Sequence, residues 1–398
     1  MSNGRLLRTR HGHEHSRVTP AELFFDLVFV FAVTRLSHGL LVHLTPLGLL
    51  QTTLLMMAVW WVWIYTTWLT NWLDPDRHEV RLLLFVLMLV GILLSVAIPG
   101  AYDGLGLLFA GCYVAMQLGR SLFMVWAVRG DPPLRRTFQG ISVWFAVAGV
   151  LWIAGGLSTD GARHALWIAA LAIEYLGPAA TFWTPLLGRA TTHDWNVEGG
   201  HLAERCGLFV IIALGESILV TGATFGGLAW TPQTVAAFLV AFVGSVAMWW
   251  IYFNVAAEDA REMIASSDDP GRMARSAYTY LHLPIVAGII VAAVGDELVL
   301  AHPAGRLGTP TALAIVGGPI LFVLGVLLFK WNVWGVISHR RVLALVTLAA
   351  LIPLAPFLTP LAYAACAAAV LVALGAWESV VLHREAKAKA TVAGELAS

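Results

Sequence analysis

Five ionisable residues, Asp26, Arg35, Glu174, Arg205 and Glu216, each lie inside a long apolar run. A charged side chain near a bilayer centre costs roughly 2.5 to 3.5 kcal/mol on insertion scales, so such groups face protein or trapped water and mark ion paths or proton relays. The chemistry they suggest is proton exchange at carboxylates, with arginines as counter-charges. Four further residues accompany them: Glu22 precedes Asp26 by one helical turn, His201 and Glu204 precede Arg205, and Arg120 lies in another run. Helical bundles build two-metal sites from carboxylate and histidine pairs at such spacings. Here one such pair is visible and its Glu-x-x-His order is reversed, so neither a metal nor another cofactor is expected.

Simpler roles exist for several of these groups. Thr19 and Glu22 have the spacing of a capping box, with Pro20 suited to the first helical turn. Glu204 and Arg205 fall early in their run, where a carboxylate suits the helix N-terminus and arginine can snorkel. Arg120 is a candidate to neutralise Asp26. The seventeen tryptophans, clustered at Trp60, Trp61, Trp63, Trp68 and Trp72, read as core packing more than as a ligand cage.

Composition fixes what must position these residues. Apolar types make up 59% of 398 residues, charged types 12%, and mean hydropathy is +0.78. A soluble domain carries roughly 25% charged residues, so this is an integral membrane chain. Zero formal net charge offers nothing for nucleic acid. Cys112, Cys206 and Cys366 show no metal-like or redox spacing. The start is polar, with a His11 to His15 run that reads as a solvated tail, and it lacks the apolar core of a signal peptide.

Apolar runs of helical length recur at 21–43, 49–72, 79–99, 104–128, 138–157 and 163–187, then at 201–224, 231–256, 275–300, 309–330, 342–359 and 361–382. Each is continuously apolar, where a barrel strand would alternate. The fold class is therefore all-α, a polytopic helical bundle with about twelve spans of about 20 residues. Outside the spans, all basic residues except Arg163 and Arg306 fall in the termini or the even-numbered loops. Excess basic charge marks the cytoplasmic side, which predicts both termini there.

The halves echo each other. Trp63-Ile64-Tyr65 matches Trp250-Ile251-Tyr252, Asp74-Pro75-Asp76-Arg77 matches Asp269-Pro270-Gly271-Arg272, and Leu118 to Phe123 matches Leu324 to Phe329. Two parallel six-helix repeats follow, since an even number of spans per unit preserves direction. The expected organisation is a tail at 1–20, repeats at 21–187 and 201–382, a linker at 188–200 and a tail at 383–398. The first and seventh spans then become equivalent, and Asp26 with Arg205 and Arg35 with Glu216 reach matched depths. Helical angle limits this, because residues nine apart point to opposite sides at about 100° per residue. Arg35 therefore has Glu174 as an alternative partner.

The Glu22 to Val30 run, Glu-Leu-Phe-Phe-Asp-Leu-Val-Phe-Val, and the His201 to Ser217 run, with His-x-x-Glu-Arg and Ile-Ile-Ala-Leu-Gly-Glu-Ser, resemble the bacterial low temperature requirement A family. The resemblance spans nearly the whole chain. It implies a multi-pass protein of the bacterial inner membrane and no defined reaction. Beside it, buried charges at a repeat junction lead to the expectation of a proton-coupled secondary transporter with a small-molecule or ion substrate and the lipid bilayer as its surroundings. The alternatives are a membrane-embedded enzyme acting on a lipid, or a protein whose charges only fix helix packing. No nucleophile elbow, phosphate loop or zinc-protease motif is present.

Overall fold

The computed structural model describes residues 6–8, 18–189, 198–256 and 273–396. The His11 to His15 run lies outside them. The described residues form twelve α-helices: α1 Pro20–Val42, α2 Pro46–Trp72, α3 His78–Ala97, α4 Gly106–Ala127, α5 Pro132–Leu157, α6 Asp160–Leu176, α7 Gly199–Gly226, α8 Pro232–Ala256, α9 His282–Ala301, α10 Thr309–Trp334, α11 His339–Leu351 and α12 Pro360–Leu396. Among the described residues, eleven helical segments are long and apolar enough to cross a membrane.

Five helices begin on the same local chemistry. Thr19, Thr45, Asp131, Thr231 and Thr359 each precede a proline and accept a hydrogen bond from the backbone N–H three residues on. The side-chain oxygen satisfies one of the unpaired first-turn donors, and proline occupies a position whose N–H would be unpaired anyway.

The sixth helix departs from expectation. It has 17 residues and ends at Leu176, short of the expected 187. Pro178 has no N–H to continue the helical ladder; Gly177 keeps helical backbone at φ −49°, ψ −54°, and the chain leaves the helical direction at Thr181 and Phe182, where φ is +53° and +48°. The apolar run to Leu187 is built of turns closed by a Thr184–Gly188 bridge. At the other end of the chain, α12 continues to Leu396 through the residues expected to form a tail. Residues 6–8 are also ordered against the bundle: Arg8 N–H donates to the Trp72 carbonyl at 2.9 Å and Asp74 N–H to that of Leu6 at 2.9 Å.

The chain divides into two compact units, residues 1–209 with 264–279, and 210–263 with 280–398. The division runs through α7 at Phe209. In the first unit α2 is central and packs on α1, α4 and α6. Trp60, Trp61 and Trp63 are fully buried there. Trp61 stacks on Tyr175 at 3.9 Å and Trp63 packs on Phe209 at 4.3 Å. Trp60 and Trp68 donate to the carbonyl and hydroxyl of Thr279 at 2.7 and 2.9 Å, anchoring a π-helical turn at Arg275–Tyr280. Buried tryptophans need such partners for their N–H groups, and the cluster is core.

In the second unit α9 and α10 lie in close contact. A Cβ at Gly288 would stand 2.4 Å from the Phe322 nitrogen, and one at Gly318 2.4 Å from that of Ala292. Small residues of this kind let helix backbones meet where no hydrophobic force separates protein from lipid. Outer faces of both units expose leucine, valine and phenylalanine, among them Phe24, Leu27, Leu82 and Leu89 on α1 and α3.

Candidate functional site

Four of the residues singled out in the sequence meet in the first unit. The capping box forms at the start of α1, with Thr19 N–H and Oγ1 both donating to Glu22 Oε2 at 2.8 and 3.0 Å. That bond fixes Glu22 with its second oxygen facing α7. His201 Nε2 lies 2.7 Å from Glu22 Oε1, and Arg205 Nη1 lies 3.1 Å from the same oxygen. One turn further along α1, Asp26 Oδ1 accepts from Arg205 Nη2 at 2.6 Å and from Trp63 Nε1 at 2.8 Å. Arg205 thus stands between two carboxylates. Glu22, Asp26, His201 and Arg205 are each at most 1% exposed.

Sequence reasoning missed three members of this cluster. Arg8 Nη2 donates to Glu22 Oε2 at 3.0 Å, while its Nε donates to the Thr70 carbonyl at 2.7 Å. With Arg8 in place, two guanidiniums balance two carboxylates. Removing charges from water costs several kcal/mol per ion, and the close pairing of opposite charges offsets it here, with Asp26 Oδ2 and Arg205 Nε left without a hydrogen-bond partner. Trp63 was read only as packing, yet its N–H holds Asp26. Asn71 fixes the histidine: it exchanges hydrogen bonds with the Glu198 backbone, accepting at Oδ1 and donating from Nδ2 at 3.1 and 2.9 Å. This locked amide turns Nδ2 toward His201 Nδ1 at 3.3 Å. Nδ1 is therefore the acceptor and Nε2–H the donor to Glu22, a tautomer assigned from the network. The Arg8 segment belonged to a polar tail and Asn71 to a helix end, so neither announced itself.

Arg120 does not neutralise Asp26; Arg205 does. Arg120 instead donates from Nη1 to the Val62 carbonyl at 3.1 Å and to Thr66 Oγ1 at 3.2 Å, and from Nη2 to Gln117 Oε1. Its guanidinium also faces the rings of Tyr65 and Phe145. The Gln117 amide reaches the other way, to the Tyr113 hydroxyl at 3.0 Å and Glu174 Oε2 at 3.4 Å. Glu174 further accepts from Tyr113 and from Trp152 Nε1, the latter at 3.0 Å. A glutamine so bridges a buried carboxylate and a buried guanidinium. Beside Arg120 lies a cavity of about 30 Å³, walled by Tyr65, Trp68, Ser121 and Thr279 among others. That is room for about one water molecule.

Arg35 joins neither group. It makes no ion pair among the described residues; its guanidinium lies 4.6 Å from the Phe31 ring centroid, and Glu174 takes other partners. Glu216 is buried in the part of α7 that belongs to the second unit. Glu204 is half-buried, one residue from Arg205, and makes no hydrogen bond or ion pair with the cluster. Among the described residues no three His, Cys, Asp or Glu side chains are grouped to hold a metal ion. The second unit has its own buried ion pair, also missed: Arg341 clamps Glu378 with Nε to Oε1 at 2.9 Å and Nη2 to Oε2 at 3.2 Å.

Residues 17–376 match the family model described as bacterial low temperature requirement A protein. An uncharacterized protein from Rhizobium meliloti (strain 1021) is 43% identical over 372 residues, which cover 93% of this chain and 90% of that protein. No solved structure matches.

Proposed function

Since the chain belongs to the bacterial low temperature requirement A family, whose name carries no reaction, we propose from its buried charges that it is a proton-coupled secondary transporter of the cell membrane. One observation carries this reading: Asp26 Oδ1 holds both Arg205 and Trp63, while the buried Oδ2 has no hydrogen-bond partner. A proton can enter at Oδ2 without displacing either donor. Once Asp26 is neutral its hold on Arg205 weakens, and the guanidinium, still charged, shifts its pairing to Glu22, already 3.1 Å away. The proton and the arginine position are then linked, which is the element a coupled carrier needs.

In the first unit the wider site takes in Arg35, Glu174, Arg120, His201 and Glu204 as residues whose charge state the transport cycle senses, and Glu216 is a separate candidate in the second unit. The substrate is a small molecule or ion. With the 17-residue α6 taken as a twelfth crossing beside the eleven longer segments, both termini are cytoplasmic, on the bias of lysine and arginine. Two parallel six-helix repeats are supported by matching pairs within each unit: α3 with α4, α4 with α5, α5 with α6 and α2 with α6 in the first correspond to α9 with α10, α10 with α11, α11 with α12 and α8 with α12 in the second.

The test is proton flux in proteoliposomes carrying a pH-sensitive dye under an imposed membrane potential. Wild-type protein should conduct protons, and Asp26→Asn, whose melting temperature falls because Arg205 loses a partner, should abolish the flux in protein that remains folded. If Asp26→Asn lowers the melting temperature and leaves the flux intact, the cluster serves helix packing alone. Fusion of a periplasm-dependent enzyme reporter to each terminus checks the orientation, with inactive reporters expected at both.

A further inference from the structure

At the end of the first unit away from Thr19, a cavity of about 480 Å³ opens among α1, α2, the α3–α4 connection and the start of α6. Its size falls within the roughly 300 to 1,000 Å³ of small-molecule sites. Unlike the apolar furrow between α8 and α12, it is polar, and Arg35 and Tyr102 are among its lining residues. The Arg35 Nε and the Tyr102 hydroxyl, buried within these two residues, lack a hydrogen-bond partner. Burial also pushes the Tyr102 hydroxyl above its ordinary range, so it stays protonated and able to donate. Buried donors without acceptors cost free energy.

The surroundings keep these donors in place. The Tyr102 ring stacks on His164 at 4.7 Å. His164 is fixed in turn by the Asp160 carbonyl at Nδ1, 2.8 Å, and by the Gln51 amide at Nε2, 3.1 Å. Donation from Gln51 makes Nε2 the acceptor and Nδ1–H the donor to the carbonyl. Behind them Arg163 ties the walls together, donating to the carbonyls of Ala101 and Asp103 at 2.9 Å each and to Gly155 at 3.1 Å. The cavity is also lined by two exposed carboxylate residues, Asp103 and Asp160.

We propose that this cavity binds a small amino-acid-like zwitterion, its carboxylate on Arg35 and Tyr102 and its ammonium toward Asp103 and Asp160. A guanidinium and a hydroxyl converging on one space suit a carboxylate. A simple anion would meet two acidic side chains against one arginine, whereas a zwitterion satisfies both signs. The site stands about nine residues of helix, roughly 13 Å, from Asp26 along α1. It does not rest on the transport reading, because equilibrium binding needs no flux.

Purified full-length protein in lipid nanodiscs, titrated calorimetrically with each of the common L-amino acids and with the matching carboxylic acids that lack the amine, tests the idea. At least one amino acid should bind, and its amine-free counterpart should bind at least tenfold more weakly. Arg35→Gln should lower affinity at least tenfold. Tyr102→Phe, which keeps the ring on His164, should lower it several-fold. Asp103→Asn, at an exposed position with little bearing on folding, should narrow the gap between amino acid and carboxylic acid. Absence of binding by every amino acid overturns the proposal. So does equal binding of the amine-free acids, or full affinity in Arg35→Gln and Tyr102→Phe proteins with wild-type melting temperatures.

Discussion

Arg205 Nη2 and Asp26 Oδ1 meet at 2.6 Å across 179 residues of sequence, joining the first and seventh helices inside a fully buried site. Removing one partner leaves an uncompensated charge. Arg205→Gln should destabilise the protein by roughly 3 to 5 kcal/mol, and adding Asp26→Asn should return part of that loss. Thermal melting of the two single variants and the double variant in the same detergent gives the coupling; strictly additive losses would show that the pair is not an energetic unit.

The Asn71 amide dictates which nitrogen of His201 carries the proton, because its own oxygen is committed to the Glu198 N–H. ¹⁵N-histidine spectra should show His201 as the Nε2–H tautomer. Asn71→Asp replaces the donor with an acceptor and should move a proton to Nδ1. Unchanged nitrogen shifts in that variant would disprove the assignment.

Gln117 spans Glu174 and Arg120, and no other residue type of its length both donates to a carboxylate and accepts from a guanidinium. Gln117→Met keeps the volume and leaves both ions short of a partner. A loss of about 1 to 3 kcal/mol is expected, read as a lowered melting temperature; a loss within error would mean that water replaces the amide.

Close contact between α9 and α10 makes a separate demand. Gly318→Val introduces atoms where the Ala292 backbone already stands, and the cost of forcing such overlap is typically 1 to 3 kcal/mol. The same substitution at Gly317, where a Cβ meets nothing within 4 Å, should be tolerated, and comparing the two melting temperatures checks it.

Much of this was legible in the sequence because the membrane imposes simple rules. Segment length and continuous hydropathy located the helices, and the Thr19 to Glu22 spacing announced its capping box. The nine-residue interval between Asp26 and Arg35 already required them to face apart, which is why one finds Arg205 and the other a cavity. What stayed hidden depended on tertiary placement. Glu174 and Arg120 were visible as charges, but nothing in spacing tells that Gln117 mediates between them. Arg341 and Glu378 lie near the ends of their apolar runs, where charges ordinarily reach water. The expected sixth helix overruns the real one because Phe182 to Leu187 is mostly apolar, and hydropathy does not register the missing N–H of Pro178 or the positive φ at Thr181 and Phe182.

Two residues of the buried ion pairs, Arg8 and Glu378, fall just beyond the span of 17–376 that relates this chain to its family. The stretch that matches the family model is therefore shorter than the stretch that is electrically complete. A fragment cut at the borders of that match would strand Arg341 without its counter-ion and strip Glu22 of one of its two arginines, so a fragment meant to fold must be drawn by charge neutrality, a few residues further out at either end.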